Sequence, residues 1–387
     1  MRIVIVSRIF TPEPAAASFL LHATAEAFAE AGHEVEVLTT TVATEPSANS
    51  PRGVRVRRAP VKRDRHGYVR GYVSYLSFDI PVFFRLIFSR RADVYLVEPP
   101  PTTGAIVRVV AALRRTPYVY DAADLWSDAA GVVTSSTFVL GALRSVERFA
   151  MRGAAQAFAI SQGLVDRMRQ IGIATPATVV GFGTDVSSFR YSPREVPADP
   201  HFVYGGSYSE WHGAEVFVEA FAAVQKIYPG ARLTFVGNGS EQPRLRELAE
   251  ELNLSGVEFL EPVAPAMLAE MLSGATASLA SLRPNAGYDY AFATKVYASL
   301  VSGCPVIFSG TGPTGPFLIG ESAHQHAGDA VEWDAGAVAC AMLAAAAAPL
   351  PASSREALAD WAVTRFSLRA VAGRIVAGTE TVVASNR

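Results

Sequence analysis

Arg2-Ile3-Val4-Ile5-Val6-Ser7 opens the chain, an amphipathic stretch over 17–31 follows, and Gly32 leads into His33-Glu34-Val35-Glu36-Val37-Leu38-Thr39-Thr40. Four consecutive β-branched residues leave the first run no polar face, so it reads as a strand covered on both sides. The stretch over 17–31 reads as a helix that Gly32 caps at its C-terminus, and 33–40 as a second strand. A strand, a crossover helix and a strand in succession make a parallel βαβ unit.

The alternation continues outward from there. Strands are expected over 92–97, 117–120 and 155–160, with helices over 103–114 and 161–171. This is the pattern of a parallel sheet with helices on both faces. It pauses over 186–200, which holds Pro193, Pro197 and Pro200, and then restarts with the strand Phe202-Val203-Tyr204. Helices over 214–227, 242–252, 265–272 and 295–302 alternate with strands over 232–236, 257–260, 277–281 and 305–308. The fold class is therefore α/β, with two doubly wound domains: 1–186, a linker over 187–200, and 201–366. A last helix, within 367–387, is expected to pack back on the first domain. Tandem sheets of this kind leave a cleft at the carboxyl ends of their strands, where such sheets bind ligands.

Composition narrows the class. The 387 residues are 50% hydrophobic and 18% charged, with a net charge of −2, too apolar for a disordered chain. Two cysteines, Cys304 and Cys340, build no disulfide framework, so a reducing cytoplasm is the expectation. The apolar runs 80–88 and 335–348 fall short of the ~20 residues a bilayer requires. Between Arg52 and Arg91 eleven basic residues face two acidic ones, so a partner near the first domain is expected to be anionic. No helix-turn-helix or RNA-binding motif accompanies that charge, and nucleic acid is not an expected partner.

Three loops invite an anion. Thr294 reads as an N-cap with Lys295 in the first turn, where a lysine opposes the helix dipole unless an anion sits there. Tyr204-Gly205-Gly206-Ser207 is a strand running into a Gly-Gly turn, with His212 placed to donate a hydrogen bond. Val236-Gly237-Asn238-Gly239 is a similar turn, but the third glycine of a dinucleotide fingerprint is missing, which argues against a nicotinamide dehydrogenase.

Taken in order, these segments resemble the retaining glycosyltransferases of family 4, which have the GT-B fold of two facing Rossmann-like domains. The likeness is carried by Phe10-Thr11-Pro12-Glu13-Pro14, by Gly32-His33-Glu34-Val35-Glu36-Val37, and by Gly181-Phe182-Gly183-Thr184-Asp185 with Phe189. Trp211-His212-Gly213, Phe235-Val236-Gly237-Asn238-Gly239 and Gly303-Cys304-Pro305-Val306-Ile307 complete it. The resemblance implies a donor diphosphate held by Gly205, Gly206, Ser207, His212, Gly237, Thr294 and Lys295. It implies a base met by the backbone at Pro262 and Val263. Asp124, matching the aspartate of an "R-D-L-W-P-E" motif, would with Asp121 orient the acceptor. The family's paired glutamates would fall on Tyr290 and Ala298, with Asp289 a partial substitute for the first, and the residue before Asp124 is Ala123. Those departures support the alternative of a non-catalytic, partner-binding relative.

The expected activity is transfer of a sugar from a nucleotide-diphosphate sugar to a glycan or glycolipid, in cell-surface polysaccharide or glycolipid synthesis. No cofactor or metal is expected, since neither cleft-facing loop carries an Asp-x-Asp or a His/Cys cluster. Lys295, His212 and the amides near Gly205-Gly206 would stabilise the departing charge. The basic segment, with Arg57, Arg58, Arg63 and Arg85, precedes and flanks an aromatic stretch over 72–88. An acceptor-side or anionic membrane surface is expected there, giving a peripheral protein on the inner face of a membrane.

Overall fold

The computed structural model describes residues 1–387 except 14, 43–50, 64–68, 70–71, 135, 195–197 and 387. Asp64, Arg65 and Arg70 of the basic segment lie outside the described residues, as do Pro14 and Pro197. The chain forms two compact units, Met1–Phe182 with Leu368–Arg387, and Gly183–Ser367. The division thus falls at Phe182/Gly183 and not within 187–200. Thr184 already belongs to the second unit, its N–H bonded to the Phe366 carbonyl at 2.7 Å.

Seven parallel strands build the first unit: β1 Arg2–Val6, β2 Glu34–Thr40, β3 Val54–Ala59, β4 Val94–Val97, β5 Tyr118–Ala122, β6 Gln156–Ala159 and β7 Ala177–Val179. Their order is β3-β2-β1-β4-β5-β6-β7. Every residue of β1, β4 and β5 is buried, as expected of strands covered on both faces. The edge strand β3 keeps Arg55 and Arg57 exposed between the half-buried Val54 and Val56, and its three arginines leave it without the apolar run that marks the central strands. The helix Leu368–Ser385 packs on the helix Ala16–Glu30 and adds Val371, Ile375, Val382 and Val383 to this core.

The second unit has six parallel strands: β8 His201–Gly205, β9 Arg232–Val236, β10 Val257–Leu260, β11 Ala277–Leu282, β12 Val306–Gly310 and β13 Gly328–Val331. Their order, β10-β9-β8-β11-β12-β13, repeats that of the first sheet's leading six strands. In each unit the first and fourth strands lie side by side, β1 with β4 and β8 with β11. Their connections leave toward opposite faces, and the loops at the carboxyl ends part there. Among the described residues no single helix is long and apolar enough to cross a membrane; the pair Ala335–Ala347 and Ala352–Phe366 matches a span only when joined across a 118° bend.

The turn after β9 lies directly against the turn after β8. Gly237 has φ +138°, and a Cβ there would come within 2.2 Å of the Gly206 carbonyl oxygen. Gly237→Ala is expected to destabilise the second unit by on the order of 2–4 kcal/mol, from overpacking and left-handed backbone together. Gly287→Ala, also at positive φ but with no atom within 4 Å, should lose only about 1 kcal/mol. Calorimetric unfolding compares the two, and equal losses would remove the steric explanation.

Candidate active site

In the second unit β8 ends in Gly205, and the turn Gly206-Ser207 is exposed. The Gly206 N–H is already bonded to the Val236 carbonyl at 2.8 Å, so it is not an open donor. The Ser207 N–H has no partner among the described residues. Lys295 reaches this turn from across the β8/β11 junction. Its Nζ donates to the Ser207 carbonyl at 3.3 Å and stands 3.7 Å from the centroid of the buried Tyr204 ring. No carboxylate pairs with it among the described residues. Burial lowers its pKa to about 7.

His212 is nine-tenths buried in a short turn over Glu210–His212. The Ser209 N–H donates to its Nδ1 at 3.0 Å, which leaves Nε2 as the protonated, donating nitrogen. Burial, aided by the charge of Lys295, lowers its pKa to about 3. His212 is therefore a neutral donor and not a cation. Trp211 stacks on it with ring centroids 3.7 Å apart, and Tyr288 lies 4.8 Å from Trp211. This stack ties the loop after β11 to His212.

The other donor-side residues have structural duties. Thr294 stands at the N-cap position, as expected, but in a helical conformation, and its side chain makes no capping bond. The helix it precedes, Lys295–Val301, has seven residues, and the lysine is placed by its contacts with Ser207 and Tyr204. Asp289 Oδ1 accepts from the Asn285 N–H and from Thr311 Oγ1, both at 2.9 Å, closing the loop after β11. Tyr290 is half-buried in the same loop. Gly237 serves the close turn packing described above. Val263 packs against the small core cluster that includes Val203, Val236 and Leu272, while Pro262 is exposed beyond the end of β10, two strands from β8.

In the first unit, Val97 pairs in register with Val6 on one side and Tyr120 on the other. The following residues, Ser7, Glu98 and Asp121, consequently stand abreast at the carboxyl ends of β1, β4 and β5. Asp121 is 5% exposed, and its carboxyl makes no hydrogen bond among the described residues. Burial, with the negative charge of Asp124 added, raises its pKa to about 7. Asp124 is exposed, and it does not cap the helix Trp126–Val133. Glu147, buried on the helix Thr137–Arg152, accepts from the Trp126 and Ser127 N–H groups instead, at 2.7 and 3.3 Å.

Arg8, 3% exposed, places its guanidinium 4.2 Å over Tyr75 and 5.7 Å from the Trp126 ring. Sequence reading passed over Ser7, Arg8 and Glu98. The available signal was a buried strand that ends in Glu98 and runs straight into Pro99-Pro100-Pro101.

The four arginines expected at an anionic surface are bound within the protein. Arg57 pairs with Glu36 at 3.1 Å, and Arg63 with Glu13 at 3.4 Å. Arg58 donates to the Thr11 and Thr40 carbonyls, and Arg85 to the Arg57 carbonyl. They brace the β3 edge and do not form an uncommitted cationic face.

Two family models match this chain. Residues 19–183 match the glycosyl transferase 4-like domain, and residues 199–346 match the glycosyl transferases group 1 domain. The chain belongs to the GT4-type glycosyltransferases. Its fold is that of GT-B enzymes. Sucrose-phosphate synthase from Thermosynechococcus elongatus is similar at 19% identity over 100% of both chains, with a TM-score of 0.72. HepE from Anabaena, in complex with UDP, is similar at 16% identity over 98% of this chain and 100% of its own, with a TM-score of 0.70. WaaG, a glycosyltransferase involved in lipopolysaccharide biosynthesis, is similar at 16% identity over 97% and 100%, with a TM-score of 0.65. A search of curated proteins by sequence found no match.

Lys62, Lys226 and Lys295 are the only lysines of this glycosyltransferase, which makes its most telling titration accessible. After reductive 13C-methylation, one lysine resonance is expected to titrate near pH 7 and to be missing from Lys295→Met. A Lys295 resonance that does not titrate until well above pH 9 would contradict the lowered pKa of this half-buried ammonium (its ordinary pKa is about 10.4).

Proposed function

We propose that this glycosyltransferase moves a sugar, with retention and without a metal, from a nucleoside-diphosphate sugar to a hydroxyl of a glycan or lipid-linked acceptor. The observation that carries the reading is Lys295: a cation with no carboxylate partner among the described residues, held beside an open backbone N–H and a neutral His N–H. Such a group is costly to bury without a counter-charge, and a diphosphate supplies one. As the sugar–phosphate bond breaks, negative charge collects on the departing diphosphate, and donors fixed beforehand stabilise it most where they need not reorganise. Lys295 would supply charge, and His212 Nε2–H with the Ser207 N–H would supply direction. Asp121 and Asp124 would orient the acceptor hydroxyl. The complexes of HepE with UDP and with UDP-glucose make these the first ligands to try.

UDP binding is expected to draw Lys295 back to its charged form. At pH 8 the free lysine, with a pKa of about 7, is mostly neutral, so binding should take up protons and weaken as pH rises from about 7 to about 9. Calorimetry in buffers of different ionisation enthalpy reads that uptake. Lys295→Ala should lose it and bind UDP about 10- to 100-fold more weakly, the ~1.5–3 kcal/mol of a charge-assisted bond. Transfer from UDP-glucose should survive EDTA, and the product anomer read by NMR should match the donor's. UDP binding that ignores Lys295→Ala would sink the donor assignment.

A peripheral position on the inner face of a membrane is supported by an apolar ridge rather than by the arginines. On the helix Tyr72–Phe88, Leu76, Ile80, Phe84 and Phe88 are 50%, 53%, 52% and 82% exposed at successive i,i+4 positions. Lys62 is exposed beside it, linked to the helix through its N–H to Ser77 Oγ. An anionic bilayer meets both features. Phe84→Ser with Phe88→Ser should lower sedimentation with anionic liposomes at least about tenfold. Unchanged sedimentation, or none by the unmodified chain, would refute this placement.

A further inference from the structure

The hydroxyl of Ser7 has one hydrogen and three close neighbours. Its Oγ lies 2.7 Å from the Ile9 carbonyl oxygen, 3.0 Å from the Ile9 nitrogen and 2.9 Å from Glu98 Oε2. The Ile9 N–H donates to it, and the Ile9 carbonyl can only accept. Were Glu98 ionised, the carbonyl and the carboxylate would both require the single serine hydrogen, and one pair of oxygens would face each other with no proton between. A proton on Glu98 settles the count. Oε2–H then donates to Ser7 Oγ, whose own hydrogen goes to Ile9. The serine oxygen gives one bond and accepts two, its full complement.

Glu98 also stands in register beside Asp121, a carboxyl that is 5% exposed and has no hydrogen-bond partner among the described residues. Two ionised carboxylates abreast in a buried layer repel strongly, whereas one proton between them removes the conflict. We propose that Glu98 is a positioning residue held as the neutral acid, so that Asp121 alone carries the charge that receives the acceptor hydroxyl. This rests on the acceptor reading of Asp121 given above, and adds the group that sets its ionisation.

The groups facing Glu98 are Ser7 and Arg8 from the end of β1, and Tyr120, Asp121 and Asp124 from β5 and the loop beyond it. Arg8 itself also faces Asp79 and Tyr75 on the helix Tyr72–Phe88, and Glu13. Burial raises Glu98 to about 8; Ser7 and Arg8 act against this, and Asp121 and Asp124 add to it. The sign follows. Below about 8 the acid holds its proton, and above it a second buried charge forms beside Asp121 while Ser7 loses its donor. Because the folded value lies above the unfolded one, the proton's contribution to stability is complete below about 4.3 and is lost as pH rises through about 8.

Infrared difference spectra of the full chain test the protonation without reference to activity. The expected result is a protonated-carboxyl component that disappears near pH 8, separate from that of Asp121 near pH 7, and is missing from Glu98→Gln. Rates of transfer at saturating UDP-glucose, where the titration of Lys295 does not limit donor binding, supply the second readout. The unmodified enzyme should lose about tenfold per pH unit above about 8, and Glu98→Gln, neutral at every pH, should lose that alkaline limb. Glu98→Ala, with no donor for Ser7, should lack the limb too but raise the acceptor KM more than it lowers kcat. No carboxyl component titrating near pH 8 in the unmodified protein, or an alkaline limb at saturating donor that persists in Glu98→Gln, overturns the proposal. Absence of any transfer by the unmodified chain would instead count against the acceptor reading, with the infrared band still deciding the state of Glu98.

Discussion

A buried parallel strand has no polar side face, so whatever chemistry the sheet carries must be mounted where the strand stops. Both units obey this constraint with the same strand order, and in both the polar groups gather where the first and fourth strands end side by side. Ser7 and Glu98 occupy that junction in one unit, and Gly205 and the reach of Lys295 in the other. The two units thus share one scaffold and differ in what is placed at one position.

The difference is electrostatic. The first junction collects Glu98, Asp121 and Asp124 around a single buried guanidinium, and the second presents one ammonium with no acid beside it among the described residues. Each is unfavourable taken alone. Desolvation pushes carboxyls toward the neutral acid and the lysine toward the neutral amine. Groups shifted in this way respond sharply to a ligand of complementary charge or to a hydrogen-bonding hydroxyl.

Much of this arrangement was legible in the residues. The βαβ rhythm of Arg2 to Thr40 and its repetition after Phe202 gave two doubly wound sheets, because apolar period and turn residues are local signals. Lys295, His212 and the Gly205-Gly206 turn were picked out by type and position, and they do converge. Their roles were less readable. His212 is uncharged because burial and the charge of Lys295 disfavour its protonation, and Thr294 makes no capping bond because the chain is already helical there. Both facts depend on tertiary surroundings. Glu98 escaped notice because its significance comes from register with Ser7 and Asp121, residues 91 positions before it and 23 after. The arginines of the basic segment misled in the opposite sense. A charge count does not reveal that Glu36, Glu13 and several carbonyls have claimed them. The strands Val54–Ala59, Ala177–Val179 and Gly328–Val331 lie at sheet edges; the first is rich in arginine, and the other two have only three and four residues.

The final helix, Leu368–Ser385, completes the core of the unit that the chain began with. The second unit is therefore an insertion, closed at both of its ends before the first is whole. On the ribosome this reverses the usual sequence of events: the later-synthesised half owns all its parts first, while the N-terminal half waits for the last segment to emerge. Trimming the C-terminus would wound the half of the protein that lies farthest from it along the chain.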